Sequence, residues 1–141
     1  MNIDTTFLRR CIASLERAME EIKRHEGGDN IMYDIYRAAC VKEFELVLEQ
    51  SGKLLRKLLA AWFASNKQAD RLHFKDIFRH AARHDLIASD ATERWLRYRD
   101  NRNLTAHDYG EDFAEHTLKL LPAFIADAKS LADMLDRTND E

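Results

Sequence analysis

Phe44-Glu45-Leu46-Val47-Leu48-Glu49-Gln50-Ser51-Gly52-Lys53-Leu54-Leu55-Arg56-Lys57-Leu58-Leu59 is the stretch that decides the fold. Phe44, Val47, Leu48, Leu54, Leu55, Leu58 and Leu59 return at the spacing of a helix that buries one face. The pattern reaches back to Ala39 and Ile35 and forward to Trp62, which predicts one long helix from about Asn30 to Ala64. Such a helix cannot bury its stripe alone, so the rest of the chain must supply facing helices. A glycine costs a helix about 1 kcal/mol relative to alanine, so Ser51-Gly52 is expected to mark a bend or a point of close packing.

Those facing helices are visible on both sides. Asp4-Thr5-Thr6 can cap a first helix whose apolar positions are Leu8, Ile12, Leu15, Met19 and Ile22, ended by Gly27-Gly28. After the long helix, the polar run Ser65 to Asp70 reads as a loop. Phe74, Ile77, Phe78 and Ala81 predict a short helix ending near His84. Ser89-Asp90 starts another, with Ala91, Trp95 and Leu96 inward, that should stop near Gly110. A last helix is expected from about Asp112 to Arg137, with Phe113, Leu118, Leu121, Phe124, Ile125, Leu131, Met134 and Leu135 on its apolar side. Pro122 removes one backbone donor within it, so a kink rather than a break is expected. The fold class that follows is all-α: an antiparallel up-down four-helix bundle with a short additional helix. Phe44, Trp62 and Trp95, at helical spacing, are expected in the core or at a dimer contact rather than around a cofactor.

Composition agrees with a helical chain. Of 141 residues, 45% are hydrophobic and 33% charged, with only 4 glycines and 1 proline. Almost no sheet is expected. The length suits a single domain over residues 1–141. A formal net charge of -3 argues against coating nucleic acid through an overall positive field, so any contact with RNA must come from a local patch. Cys11 and Cys40 show no metal-knuckle or disulfide spacing and fit a reducing compartment. Asp4, Arg9 and Arg10 stand where a secretory signal would be apolar, and no run approaches a membrane span. The expectation is a cytoplasmic protein with no membrane contact.

Chemistry concentrates in Arg102-Asn103-Leu104-Thr105-Ala106-His107-Asp108-Tyr109. Arginine holds a phosphate through a planar fork of donors, and histidine exchanges a proton near pH 7. These are the groups that metal-free phosphodiester cleavage needs. Asn103 and His107 are helical neighbours at i and i+4, whereas Arg102 and His107, five apart, fall on partly different faces. If the helix persists through His107, Arg102 and Tyr109 share a face. Arg94, Arg97 and Arg99 add a basic stripe one and two turns earlier, a candidate RNA or nucleotide contact. Equally open is that Asp90, Glu93 and Asp100 pair with these arginines on a solvated surface. A two-fold axis joining two such helix ends would give one cleft two arginines and two histidines.

Other constellations are weaker. Asp76, His80 and His84 recur every four residues, but Arg79 and Arg83 flank them and no cysteine or acidic cluster completes a metal set, so no metal is expected. His25, His73 and His116 show no partner pattern. No glycine-rich phosphate cradle is present, and no cofactor is expected.

Arg102 to Tyr109 resembles the R-x4-H-x-Y motif of the HEPN superfamily, including the polar residue after the arginine. Lys42 to Glu49 leading to Lys53-Leu54-Leu55 is similar to the long second helix of its nucleotidyltransferase substrate-binding protein branch. The order Phe74, Ile77-Phe78, Asp85-Leu86-Ile87, Trp95, Arg102-Asn103-Leu104-Thr105 resembles the same branch. The resemblance implies a helical bundle that pairs into a homodimer and is encoded beside a minimal nucleotidyltransferase. It further implies a toxin-antitoxin pair in which the HEPN protein is a metal-independent endoribonuclease and the nucleotidyltransferase the antitoxin. By position, Arg102 would bind the scissile phosphate, His107 would transfer the proton, Asn103 would orient the site, and Tyr109 would accept AMP from the partner (AMPylation). The alternative that the resemblance carries is a non-catalytic nucleotide- or substrate-binding subunit of a two-component nucleotidyltransferase.

Overall fold

The computed structural model describes residues 2–28, 30–62, 66–107 and 111–140, without the side chains of 62, 66, 69 and 104–107. Helix α1 spans Thr6–Arg24 and α2 spans Asn30–Leu59, followed by one 3-10 turn at Ala60–Trp62. Then come α3 (Asn66–Asp70), α4 (Phe74–Arg83), α5 (Ser89–His107) and α6 (Glu111–Asn139). The architecture is the all-α antiparallel bundle of α1, α2, α5 and α6, with the short helices inserted between α2 and α5; no strand occurs among the described residues. Where a loop was expected at Ser65 to Asp70, Asn66–Asp70 closes one short helical turn. That segment is too polar to show an apolar period, which is why the pattern missed it.

Helix α2 is the axis of the molecule, touching α1, α4, α5 and α6. Its Phe44, Val47, Leu48, Leu55 and Leu59 are buried as the stripe requires, each worth roughly 1.5–3 kcal/mol of transfer free energy. Ile35 departs from expectation: it is 53% exposed, and Ile31 one turn earlier is 71% exposed, so the first turns of α2 run past the faces that cover the rest. The side chain of Trp62 lies outside the described residues.

Phe44, Phe78, Trp95, Tyr98 and Phe124 form a continuous aromatic cluster that ties α2, α4, α5 and α6 together. Phe78 stacks on Trp95 at 4.8 Å and Phe124 meets Phe44 at 4.6 Å and Tyr98 at 4.9 Å between ring centroids. Such pairs add about 0.5–1.5 kcal/mol beyond the area they bury. Gly52 is a close-packing point, as one of the two expectations held, because α2 passes directly beneath the ring of Phe74. Helix α6 continues unbroken through Pro122.

Helix ends follow local chemistry. Asp4 caps α1 through its carboxylate, which accepts from the Thr6 N–H at 2.9 Å. Thr5 donates instead to Asp136 at 2.7 Å, and Asn139 exchanges two 2.7 Å bonds with the backbone of Ile3, so the end of α6 clamps the start of the chain. Helix α4 ends in a Schellman motif, with Leu86 N–H bonded to Ala81 C=O at 3.0 Å and Asp85 in the left-handed region at φ 58°.

A candidate anion groove beside the motif helix

Helix α5 divides its arginines between two faces. Arg94 and Arg99 are five residues apart, about 140° around the axis, while Arg99 and Arg102 are separated by only about 60°. Arg94 turns to α6, where Nε and Nη2 donate to the two carboxylate oxygens of Asp127 at 2.8 and 2.9 Å. Tyr98 adds a 2.6 Å bond to the same buried carboxylate, and Asp90 meets Arg94 at 3.4 Å. Asp127 thereby holds the Arg94 guanidinium well above its ordinary pKa, and burial together with the Tyr98–Asp127 bond pushes the phenol up. Spacing alone grouped Arg94 with Arg97 and Arg99; the structure gives Arg94 to a clamp between α5 and α6, and leaves Arg97 exposed.

Arg99 and Arg102 turn the other way. Both line a groove of about 640 Å³ whose walls are α2, the turn before α4, and α5. Arg99 lies over the ring of Phe74, 5.3 Å from its centroid. Burial, then the neighbouring charge of Arg102, lowers the Arg99 pKa, with Glu49 pulling the other way. Arg56 forms part of the wall, its Nη2 donating to the Leu72 carbonyl at 2.8 Å while its Nε is buried without an acceptor. Lys53, Arg71 and His73 complete the basic side, against Glu45, Glu49 and Asp70. Asn103 stands on the α4 side of Arg99, lining a shallower depression of about 340 Å³ with His73, Phe74 and Arg79.

Asn101, the residue before Arg102, is only 3% exposed and donates to Thr117 at 2.8 Å, pinning α5 to α6. At the start of α6, Glu115 accepts from Tyr33 at 2.7 Å and Arg37 at 2.9 Å. Burial raises the Glu115 pKa, but those two bonds outweigh it and hold the group below its ordinary value; Tyr33 is pushed up to about 12 by burial and by Glu115. Polar contacts to the bundle therefore flank the motif segment in sequence, at Asn101 and at Glu115. Helix α5 persists through His107, so Asn103 and His107 are i and i+4 on one helix, while the expectation that Arg102 and Tyr109 share a face falls on a residue outside the described ones. The His107 side chain and all of Tyr109 lie outside the described residues.

Asp76 pairs with Arg79 at 3.4 Å, and among the described residues no group of three or more His, Cys, Asp or Glu is placed to hold a metal ion. Lys75 reaches Asp100 at 2.6 Å, joining α4 to α5. Cys11 and Cys40 are free and buried, with burial holding the Cys40 thiol up at about 11. No described helix is long and apolar enough to cross a membrane.

The family model described as nucleotidyltransferase substrate binding protein like matches residues 4–137. The chain belongs to that family. A relative from Haemophilus influenzae named Probable ribonuclease HepT is 30% identical over 129 residues, covering 89% of this chain and 87% of the relative. The solved structure of HI0074 from Haemophilus influenzae, described as revealing the fold of a substrate binding domain of a nucleotidyltransferase, superposes with a TM-score of 0.83. It is 27% identical and covers 94% of this chain and 99% of its own.

In this nucleotidyltransferase substrate binding protein like chain, sequence spacing pointed to Arg99, Arg102 and Asn103, and these do lie together at one end of α5. It missed Lys53, Arg56, Arg71 and His73, which come from α2 and from the turn before α4. Nothing local marks them as a group, because residues that meet through packing leave no local period.

Proposed function

We propose that the protein is the toxin of a two-component toxin-antitoxin pair, a metal-independent endoribonuclease whose single HEPN-like domain over residues 1–141 works as a homodimer in the cytoplasm. The observation that carries this is the crowding of Arg99 and Arg102 at the groove beside the motif end of α5, in a chain of negative net charge. Two guanidiniums lining one groove offer an anion two planar forks of donors. The name of the Haemophilus influenzae relative supports the same reading.

In this reading Arg102 binds the scissile phosphate and Asn103 orients it. The adjacent ribose 2′-hydroxyl attacks phosphorus, forming the O2′–P bond as the P–O5′ bond breaks. The 2′-hydroxyl proton leaves to a base and O5′ takes up a proton. The His107 imidazoles of the two protomers serve as base and acid, and the products are a 2′,3′-cyclic phosphate and a 5′-hydroxyl. Positioning and proton transfer by the chain suffice, with no cofactor invoked. The nucleotidyltransferase partner silences the toxin by transferring AMP from ATP to the Tyr109 hydroxyl, with release of pyrophosphate, which adds a bulky anion to the motif that contains Arg102.

The test is growth of a bacterial host carrying the wild-type chain or His107→Ala, with and without the cognate nucleotidyltransferase, alongside intact mass of the purified proteins. Toxicity lost in a folded His107→Ala variant, and a partner-dependent mass gain of AMP mapping to Tyr109, are the expected results. Unchanged toxicity of His107→Ala would overturn the catalytic assignment. The description of HI0074 favours a second reading, a non-catalytic subunit that presents a nucleotide or substrate to the partner. Absence of both toxicity and mass change would establish that reading instead.

A further inference from the structure

We infer that the groove along α2 is a track for the sugar-phosphate backbone of single-stranded RNA, delivering the strand to the motif end of α5. The inference rests on the ribonuclease reading above and supplies the extended basic surface that a net charge of -3 conceals.

Two depressions adjoin. One, of about 640 Å³, holds Arg99, Arg102 and Arg71; the other, of about 660 Å³, holds Lys57; Lys53 and Arg56 line both. Together they gather six cations from three segments far apart in sequence. Four carboxylates, Asp4, Glu45, Glu49 and Asp70, share the walls, so the surface carries excess positive charge. Among the described residues Lys53, Lys57 and Arg71 form no salt bridge, whereas Arg9, Arg37, Arg79 and Arg94 elsewhere each close on a carboxylate. Three exposed cations in one trench remain available to an incoming anion.

Shape selects the ligand. From Glu45 to Lys57 the groove follows α2 for about 18 Å at 1.5 Å per residue. That exceeds a single mononucleotide and matches a short run of strand. A positively charged trench that tracks the backbone is how single strands are held without sequence preference. Phe74, seated on Gly52 and beneath Arg99, closes one wall, and Arg99 stands between the trench and the Asn103 depression. The fixed position of Arg56, bonded to the Leu72 carbonyl, gives the trench a rigid donor at its middle.

The test uses the full chain in a His107→Ala background, so that bound RNA stays intact, with a short mixed-sequence fluorescent oligoribonucleotide as probe. Its affinity is measured by anisotropy between about 50 and 200 mM salt. The triple variant Lys53→Gln, Lys57→Gln, Arg71→Gln changes exposed residues. The control Arg10→Gln, Lys23→Gln, Lys119→Gln removes the same charge from exposed positions outside both depressions. The trench variant is expected to bind roughly tenfold more weakly, with a salt slope shallower by about 2, since each lost single-strand phosphate contact removes about 0.7. The control is expected to retain affinity and slope.

Equal losses in both variants, no loss in either, or no binding by the parent chain would overturn the trench. So would a trench variant that binds RNA normally but no longer binds the nucleotidyltransferase, which would make the groove a protein dock. Trench-dependent binding without any cleavage by the wild-type chain would keep this inference and remove the ribonuclease reading. His107-dependent cleavage with unchanged KM in the trench variant would do the reverse.

Discussion

The ring of Phe74 lies so close over Gly52 that a Cβ on that glycine would stand 2.8 Å from both Cδ2 and Cε2. The contact seats α4 on α2 and holds Phe74 where Phe78 meets its ring at 4.7 Å and Arg99 lies above it. A missing side chain in the middle of the longest helix thus sets one wall of the candidate site.

Gly52→Ala should therefore destabilise, although alanine is the better helix former by about 1 kcal/mol. Overpacking against a ring held by its neighbours costs about 1–3 kcal/mol, so urea denaturation should show a net loss of up to about 2 kcal/mol. A variant more stable than wild type would show that the ring yields freely.

Asp127→Ala should cost about 2–4 kcal/mol, because it removes the carboxylate that Arg94 and the Tyr98 hydroxyl share and leaves Arg94 only the 3.4 Å contact with Asp90. The figure stays below that of a fully buried pair because Arg94 is partly solvated. Arg94→Gln should lower stability while leaving RNA affinity unchanged; a matching loss of RNA affinity would return Arg94 to the binding surface.

Acid should loosen the clamp between the two ends of the chain. The Thr5 and Arg9 bonds hold the Asp136 carboxyl below the ordinary aspartate range. A depressed folded pKa means the stabilisation is present above the unfolded value and lost as pH falls through the folded one. Stability followed by denaturation from pH 7 to 3 should fall below about pH 4, and Asp136→Asn should flatten that decline. An identical profile in the variant would place the acid sensitivity elsewhere.

Arg102→Lys keeps the charge but loses the planar fork. Cleavage should drop on the order of 100-fold, the scale for losing one oriented donor at a developing oxyanion, with RNA binding in the trench reduced far less. Retained cleavage would mean that Arg102 contributes charge alone.

The helices were legible because amphipathic periodicity is a local property: residues three and four apart share a face wherever the bundle puts that face. The stripes of α1, α2 and α6 identified their elements, and Gly52 advertised a close contact without naming its partner. Helix α5 was harder, since it buries Thr92, Tyr98 and Asn101 among its inward positions and so dilutes the stripe. The motif from Arg102 to Tyr109 also stood out, being short and contiguous.

What the chain's own order determined, then, was the helices, the bundle and the motif, because each depends on neighbours within a turn or two. Tertiary structure alone decided that Arg94 goes to Asp127 while Arg99 joins Lys53, Arg56 and Arg71. Those cations come from three separate segments of the chain, and only the packing of α4 and α5 against α2 turns them into one surface.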